Sequence, residues 1–175
     1  MALAQLPFIQ PQLVWQSDMI KNGELWRIIT GNLTHTNWPH MIMNSMGLAI
    51  ITFCFRHHLS PKRLFLLLLG LSAWVGCALF AWPTTWYAGL SGVLHGLFAW
   101  GALADIKQHD KLGKWLLAAI VAKILWEQFF GGAASSAQLI GARVAVEAHL
   151  AGALGGIVFG GLASMAKNKA TTPKV

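Results

Sequence analysis

Charge is scarce in this chain. Only 11% of its 175 residues are Asp, Glu, Lys or Arg, where a soluble domain carries roughly 25%. That leaves too few polar side chains to coat a water-soluble surface. With 55% hydrophobic residues and a mean hydropathy of +0.54, the chain reads as one polytopic membrane domain in contact with a lipid bilayer. Cysteine is nearly absent as well. Cys54 and Cys77 both fall inside apolar runs and at no metal-ligand spacing, so they read as small buried apolar residues. No low-complexity tract or long linker divides the chain. No basic segment followed by a long apolar core opens it, which argues against a signal peptide. The net charge of +7 does not point to nucleic acid, because Lys and Arg sit in short clusters between apolar runs, as juxtamembrane charges do.

Apolar sequence is abundant, in five runs: roughly 39–57, 63–82, 90–105, 112–130 and 147–166. The expected fold class is all-α, a polytopic membrane helical bundle of five full spans plus a partial or missing first helix. Residues 1–15 are apolar but too short and proline-bearing to span, and look like part of that first helix. Residues 1–38 form an N-terminal segment and outer loop, 39–166 the helical core, and 167–175 a cytoplasmic tail. Arg56, Lys62 and Arg63 follow the first run, Lys107, Lys111 and Lys114 the third, and Lys167, Lys169 and Lys174 the last. Alternate loops are thus basic and read as cytoplasmic, which puts 83–89 and 131–146 outside. His57, His58 and His109 fall in the cytoplasmic loops and read as solvated.

Strongly polar residues within spanning helices are expensive and point to function by default. Three groups qualify, each at the outer end of its run. His40 and Asn44 are four apart and share a helical face, with His35 just upstream. Ser91 and His95 share a face within Gly89-Leu-Ser91-Gly92-Val-Leu-His95-Gly96. Gly89 permits a sharp turn, Gly92 and Gly96 permit close backbone approach, and Ser91 falls in a first helical turn near free N–H groups. His149, Gly152 and Gly156 share a face of the last run. Topology brings the three groups together and supplies a nucleophile, a base and oxyanion donors. Ser91 is the candidate nucleophile and His149 its base, because their helices can pack face to face. The Ser91 N–H, His40 and Asn44 are candidate oxyanion donors. The short third run suggests that its helix starts below the membrane surface, with 83–89 dipping in as non-helical backbone beside a wet cavity. Lys123 and Glu127, one turn apart in the fourth run, read as a mutually neutralising pair, or as a polar lock on a substrate gate.

At these positions the sequence resembles the rhomboid family of intramembrane proteases. Trp26-Arg27, His35 with His40-xxx-Asn44, Gly89-x-Ser91-Gly92 and Ala148-His149-xx-Gly152-xxx-Gly156 occur in the family's order, from Trp26 to the last helix. The resemblance implies a serine endopeptidase with a Ser91–His149 dyad and no acidic third member. It also implies an oxyanion site at His40 and Asn44, a structural loop at Trp26-Arg27, and no cofactor or metal. Many rhomboids carry tyrosine where this chain has His95, and Gly-x-Ser-Gly-x-x-His-Gly together with Trp26-Arg-x-x-Thr30-Gly31 resembles the rhombosortase subfamily. That likeness implies a bacterial inner membrane, an active site toward the periplasm, and membrane-anchored protein substrates ending in a Gly-Gly motif, one membrane helix and a basic tail. It leaves His95 to stack, to donate to the oxyanion or to relay a proton.

Rival readings remain. Ser91 alone could be a helix cap, His149 alone an interface histidine, and the histidines together a metal site, although no Asp or Cys cluster accompanies them. A non-catalytic rhomboid-like protein that binds membrane helices is the main alternative function. A small transporter would instead spread its polar residues along a transmembrane path.

Overall fold

The computed structural model describes residues 1–171, with side chains through residue 162. Lys174 lies outside the described residues, as do the side chains of Lys167 and Lys169 in the expected cytoplasmic tail.

Three short helices open the chain: α1 (Gln10–Leu13), α2 (Ser17–Lys21) and α3 (Arg27–Thr30). Five long ones follow the apolar runs: α4 (Trp38–Cys54), α5 (Pro61–Ala78), α6 (Ser91–Lys107), α7 (Lys111–Phe130) and α9 (Val146–Thr171), with a short α8 (Ala134–Ile140) before the last. Local capping sets the starts of three of them. Asn37 accepts from the His40 N–H at 2.8 Å ahead of α4, Ser60 from Arg63 at 3.2 Å ahead of α5, and Asp110 from Leu112 at 2.8 Å ahead of α7. Pro39 and Pro61 occupy first-turn positions where no helical donor is lost.

Among the described residues one helical stretch, Pro61–Ala81, is long and apolar enough by itself to cross a membrane, with 21 residues and a mean hydropathy of 2.3 over its most apolar 18. α7 and α8 meet the same test only as one span bent by 82°. α4 and α6 have 17 residues each, short of the roughly 20 needed for a perpendicular crossing. Helix length and hydropathy alone therefore do not give the expected five spans. Outward-facing side chains speak for lipid in another way: Phe53, Phe65, Trp115 and Phe129 are all more than 60% exposed, an apolar surface that water disfavours.

α6 is the central helix. It packs most extensively against α9 and α7, and also touches α5 and α4. Glycine makes the α6–α9 contact possible. A Cβ on Gly92 would lie 2.7 Å from the Ala148 carbonyl oxygen, and one on Gly96 2.7 Å from that of Gly152. A Cβ on Gly152 or Gly156 would overlap the carbonyls of Gly92 and Gly96 in turn. The backbones touch with nothing between them.

Residues 1–15 hold a 3₁₀ turn (Ala2–Gln5) and α1 rather than a spanning helix. This segment folds onto the end of the bundle where α6 begins. Trp15 is fully buried and donates from its indole to the Gly76 carbonyl at 2.9 Å. Arg27, also buried, donates to the carbonyls of Pro11 (2.9 Å) and Val14 (2.8 Å) and pairs with Glu24 at 2.6 Å. A two-residue antiparallel ladder joins β1 (Trp15–Gln16) to β2 (Trp86–Tyr87), tying the N-terminal segment to the strap that precedes α6.

The connection 131–146 contains α8, with Gly131 (φ 79°) turning the chain at the end of α7 and Gly141 (φ 63°) at the end of α8. Two expectations need correction. Cys54 and Cys77 are exposed rather than buried. His58 is buried rather than solvated. Its Nε2 lies 2.6 Å from Asp105 Oδ1, so the loop after α4 meets the last turn of α6 at one end of the bundle.

Candidate active site

Ser91 is the first residue of α6. Its approach is fixed by Gly89, whose φ of 146° is one that residues with a side chain rarely adopt. The Gly89 N–H donates to the Gly31 carbonyl at 3.2 Å, and the Tyr87 hydroxyl donates to the Gly89 carbonyl at 2.5 Å. Being at the helix start, Ser91 sits beside backbone N–H groups that have no intrahelical acceptor.

His149 stands in the first turn of α9, and the glycine contact below it brings its ring to Ser91. His149 Nε2 and Ser91 Oγ are 2.9 Å apart. The other ring nitrogen, Nδ1, lies 2.8 Å from Glu127 Oε2 on α7. A carboxylate only accepts, so the imidazole proton sits on Nδ1 and the Nε2 lone pair faces the serine hydroxyl. The second Glu127 oxygen takes the Lys123 ammonium at 2.5 Å. The Lys123–Glu127 pair expected from sequence is thus present, but the carboxylate is shared with His149.

His95 lies one turn into α6. Its ring stacks on that of His149 with centroids 4.0 Å apart and planes 17° from parallel, and its Nδ1 donates to the Ser91 carbonyl at 2.7 Å. Of the three roles left open for His95, this conformation is the stacked one. His95, Glu127 and His149 also bring potential metal-ligand atoms within 4.8 Å of one another. Stacked rings hold their lone pairs in nearly parallel planes, which do not converge on one ion as a tetrahedral site requires.

His40 and Asn44 flank Gly89 from α4. A Cβ on Gly89 would lie 2.9 Å from His40 Cε1 and 3.8 Å from Asn44 Nδ2. Asn44 is 3% exposed and its Nδ2 has no partner among the described residues. This is a buried donor without an acceptor, costly unless something occupies the space before it. His40 is tied down on its other side: its Nδ1 lies 3.0 Å from Thr36 Oγ1, and that hydroxyl donates to the Ile140 carbonyl of α8 at 2.6 Å. Having given its proton to the carbonyl, Thr36 accepts from His40 Nδ1–H. A neutral His40 then presents Nε2 as an acceptor and becomes a donor there only as imidazolium.

Behind His40, the His35 ring meets it edge-on at 4.9 Å and is fully buried with both nitrogens unpartnered. Burial, with the His40 ring beside it, holds His35 far below the usual histidine range, at about 3, so it is neutral. Its backbone braces the N-terminal segment through Gln5.

Ser91, His149, His40, Asn44, Lys123 and Glu127 all line one cavity of about 690 Å³. The sequence reading missed Tyr87 and the Glu127–His149 contact. The tyrosine sits two residues before Gly89 without a motif of its own. Glu127 had an obvious partner on its own helix, which concealed the one across the bundle.

A model of the Rhomboid domain matches residues 22–166 of the chain. Over 152 residues the chain is 24% identical to a protein of Bacillus subtilis (strain 168) named "Putative rhomboid protease YdcA", an alignment covering 86% of this chain and 73% of that protein.

Proposed function

Because the chain belongs to the rhomboid domain family, whose members are serine proteases acting on membrane proteins within the bilayer, we propose that it is an intramembrane serine endopeptidase with Ser91 as nucleophile and His149 as general base. The observation that carries this reading is the 2.9 Å contact between His149 Nε2 and Ser91 Oγ at the start of a helix. Ser91 Oγ attacks the scissile carbonyl carbon while its proton passes to His149 Nε2, and the carbonyl electrons move to oxygen. The Ser91 N–H and the unpartnered Asn44 amide stabilise that oxyanion, with His40 beside Asn44 at the same site. His149 then returns the proton to the leaving amine, and water releases the acyl-enzyme by the same steps.

Asn44→Ala is expected to lower kcat by about 10²–10³-fold with little change in KM, since the donor acts on charge that develops only in the transition state. Steady-state kinetics in detergent micelles or proteoliposomes reads this. A kcat within threefold of wild type removes Asn44 from the site.

The same reading gives a polytopic bundle of five spans in a bacterial inner membrane, residues 1–175 forming one domain. The His58–Asp105 end, beside Arg56, Lys62, Lys107 and Lys111, faces the cytoplasm, and the Ser91 end faces the periplasm. A recessed start to the 17-residue α6 accounts for its length. Substrates are single-span membrane-anchored proteins of the rhombosortase kind, with a Gly-Gly motif ahead of the membrane helix. Glycine unwinds readily and fits beside Gly89 and Gly92.

The test is co-expression with a substrate carrying Gly-Gly, one membrane helix and a basic tail, alongside a copy with Val-Val in place of Gly-Gly. Release of the first alone is the expected result. Equal release of both refutes the glycine preference, and release of neither counts against the protease reading.

A further inference from the structure

We propose that Glu127 is a positioning residue for catalysis, making the centre a Ser91–His149–Glu127 triad in place of a bare serine–histidine dyad. The inference rests on the protease reading above and deepens it. Three observations carry it. The Glu127 carboxylate reaches His149 Nδ1 at 2.8 Å, on the side of the ring opposite Ser91. Both side chains are at least 90% buried, at 7% and 10% exposure, so the interaction is weakly screened by water. The third is economy of charge. A carboxylate in the middle of a bundle is costly to hold, and Lys123 on its own helix already neutralises it from the more exposed side. A pair that served only to neutralise itself would have no reason to turn its second oxygen to the one histidine that touches the serine.

The chemistry follows from the donor and acceptor inventory. Glu127 accepts from Nδ1–H and so selects the tautomer whose Nε2 lone pair points at Ser91. When Ser91 Oγ bonds to the substrate carbonyl and loses its proton to Nε2, the ring becomes an imidazolium with both nitrogens protonated. Glu127 stabilises that charge without taking the proton, which returns from Nε2 to the leaving group. The stacked His95 fixes the ring plane from one face, and Glu127 fixes its rotation within that plane.

The experiment compares Glu127→Gln and Glu127→Ala with wild type, in turnover and in ¹⁵N NMR of histidine-labelled protein in micelles. The His149 signals are assigned from their loss in a His149→Asn variant. Wild-type His149 is expected to carry its proton on Nδ1. Glutamine can turn its NH₂ toward Nδ1 and favour the Nε2–H tautomer, which leaves no lone pair for Ser91. Glu127→Gln is therefore expected to shift the ring to that tautomer and to lower kcat by about 10²–10⁴-fold with KM within about threefold. Glu127→Ala, which lets either tautomer form, is expected to lose less. A carboxylate that served only Lys123, with no bond to His149, would alter stability but not the tautomer. A wild-type ring protonated at Nε2, or an unchanged tautomer and kcat in Glu127→Gln, overturns the proposal. The wild-type spectrum decides even where the variants fail to fold, and it needs no substrate. A wild type with the Nδ1–H tautomer that cleaves nothing would therefore sink the protease reading while leaving the Glu127 contact standing.

Discussion

Ser91→Ala is expected to remove turnover, with kcat falling by about 10⁴–10⁶-fold, and His149→Ala to do the same. In the proposed mechanism the two act as one unit: the hydroxyl is a poor nucleophile without a base 2.9 Å away, and the base has nothing else to activate. The double variant should therefore be no worse than either single one, and this non-additivity distinguishes a catalytic pair from two independent structural contributions. Folding should survive the serine change. Position 91 is the first of a helix, alanine is a good helix former, and only one hydroxyl is removed. A serine-reactive fluorophosphonate gives a second readout, since it should label wild type and not Ser91→Ala. Turnover within tenfold of wild type in either single variant would remove the pair from the chemistry, whatever its geometry.

Much of this arrangement is legible in the sequence, because glycine spacing and polar residues in apolar runs leave few alternatives. Gly92 and Gly96 on one run and Gly152 and Gly156 on another give matching faces, and the helices do meet there. Once they meet, Ser91 and His149 have little choice but to face each other. His40 and Asn44 follow from their four-residue spacing and from the short connections that return α4 to the same end. Contacts whose partners are decided by packing are not legible. Glu127 lies four residues from Lys123 and 22 from His149, and only the rotation of α7 against α9 determines that its carboxylate reaches both. His58 sits in a connection that looks solvated when read alone, and its partner Asp105 lies 47 residues on, in the last turn of α6. The segment Ala134–Ile140 is small and polar for most of its length. It becomes α8 between two turning glycines, held against the segment before α4 by Thr36 and Asn37, which donate to its last carbonyls.

Gly152→Val is expected to unfold the core outright. A Cβ on residue 152 would overlap the Gly92 carbonyl oxygen, a backbone atom that cannot swing aside as a side-chain end can. α6 and α9 would have to separate along their whole contact, and the Ser91–His149 distance, which depends on that contact, would open with it. The expected cost is about 4 kcal/mol or more, above the roughly 1–3 kcal/mol typical of core overpacking because the backbone atom it meets cannot move aside, together with complete loss of turnover. Gly152→Ala meets the same oxygen with its own Cβ and should fail in the same direction. The matched control is Gly161→Ala on the same helix, where an added Cβ meets nothing within 4 Å. There the change should stay within about 1 kcal/mol, the helix propensity of alanine working in its favour. Thermal or SDS-induced unfolding in micelles, followed by helicity and turnover together, separates the cases. A Gly152→Val protein that melts and cleaves like wild type would mean that the helices do not touch there. The site would then have to be held together by some other contact, because the reach of His149 to Ser91 depends on this absent side chain more than on any present one.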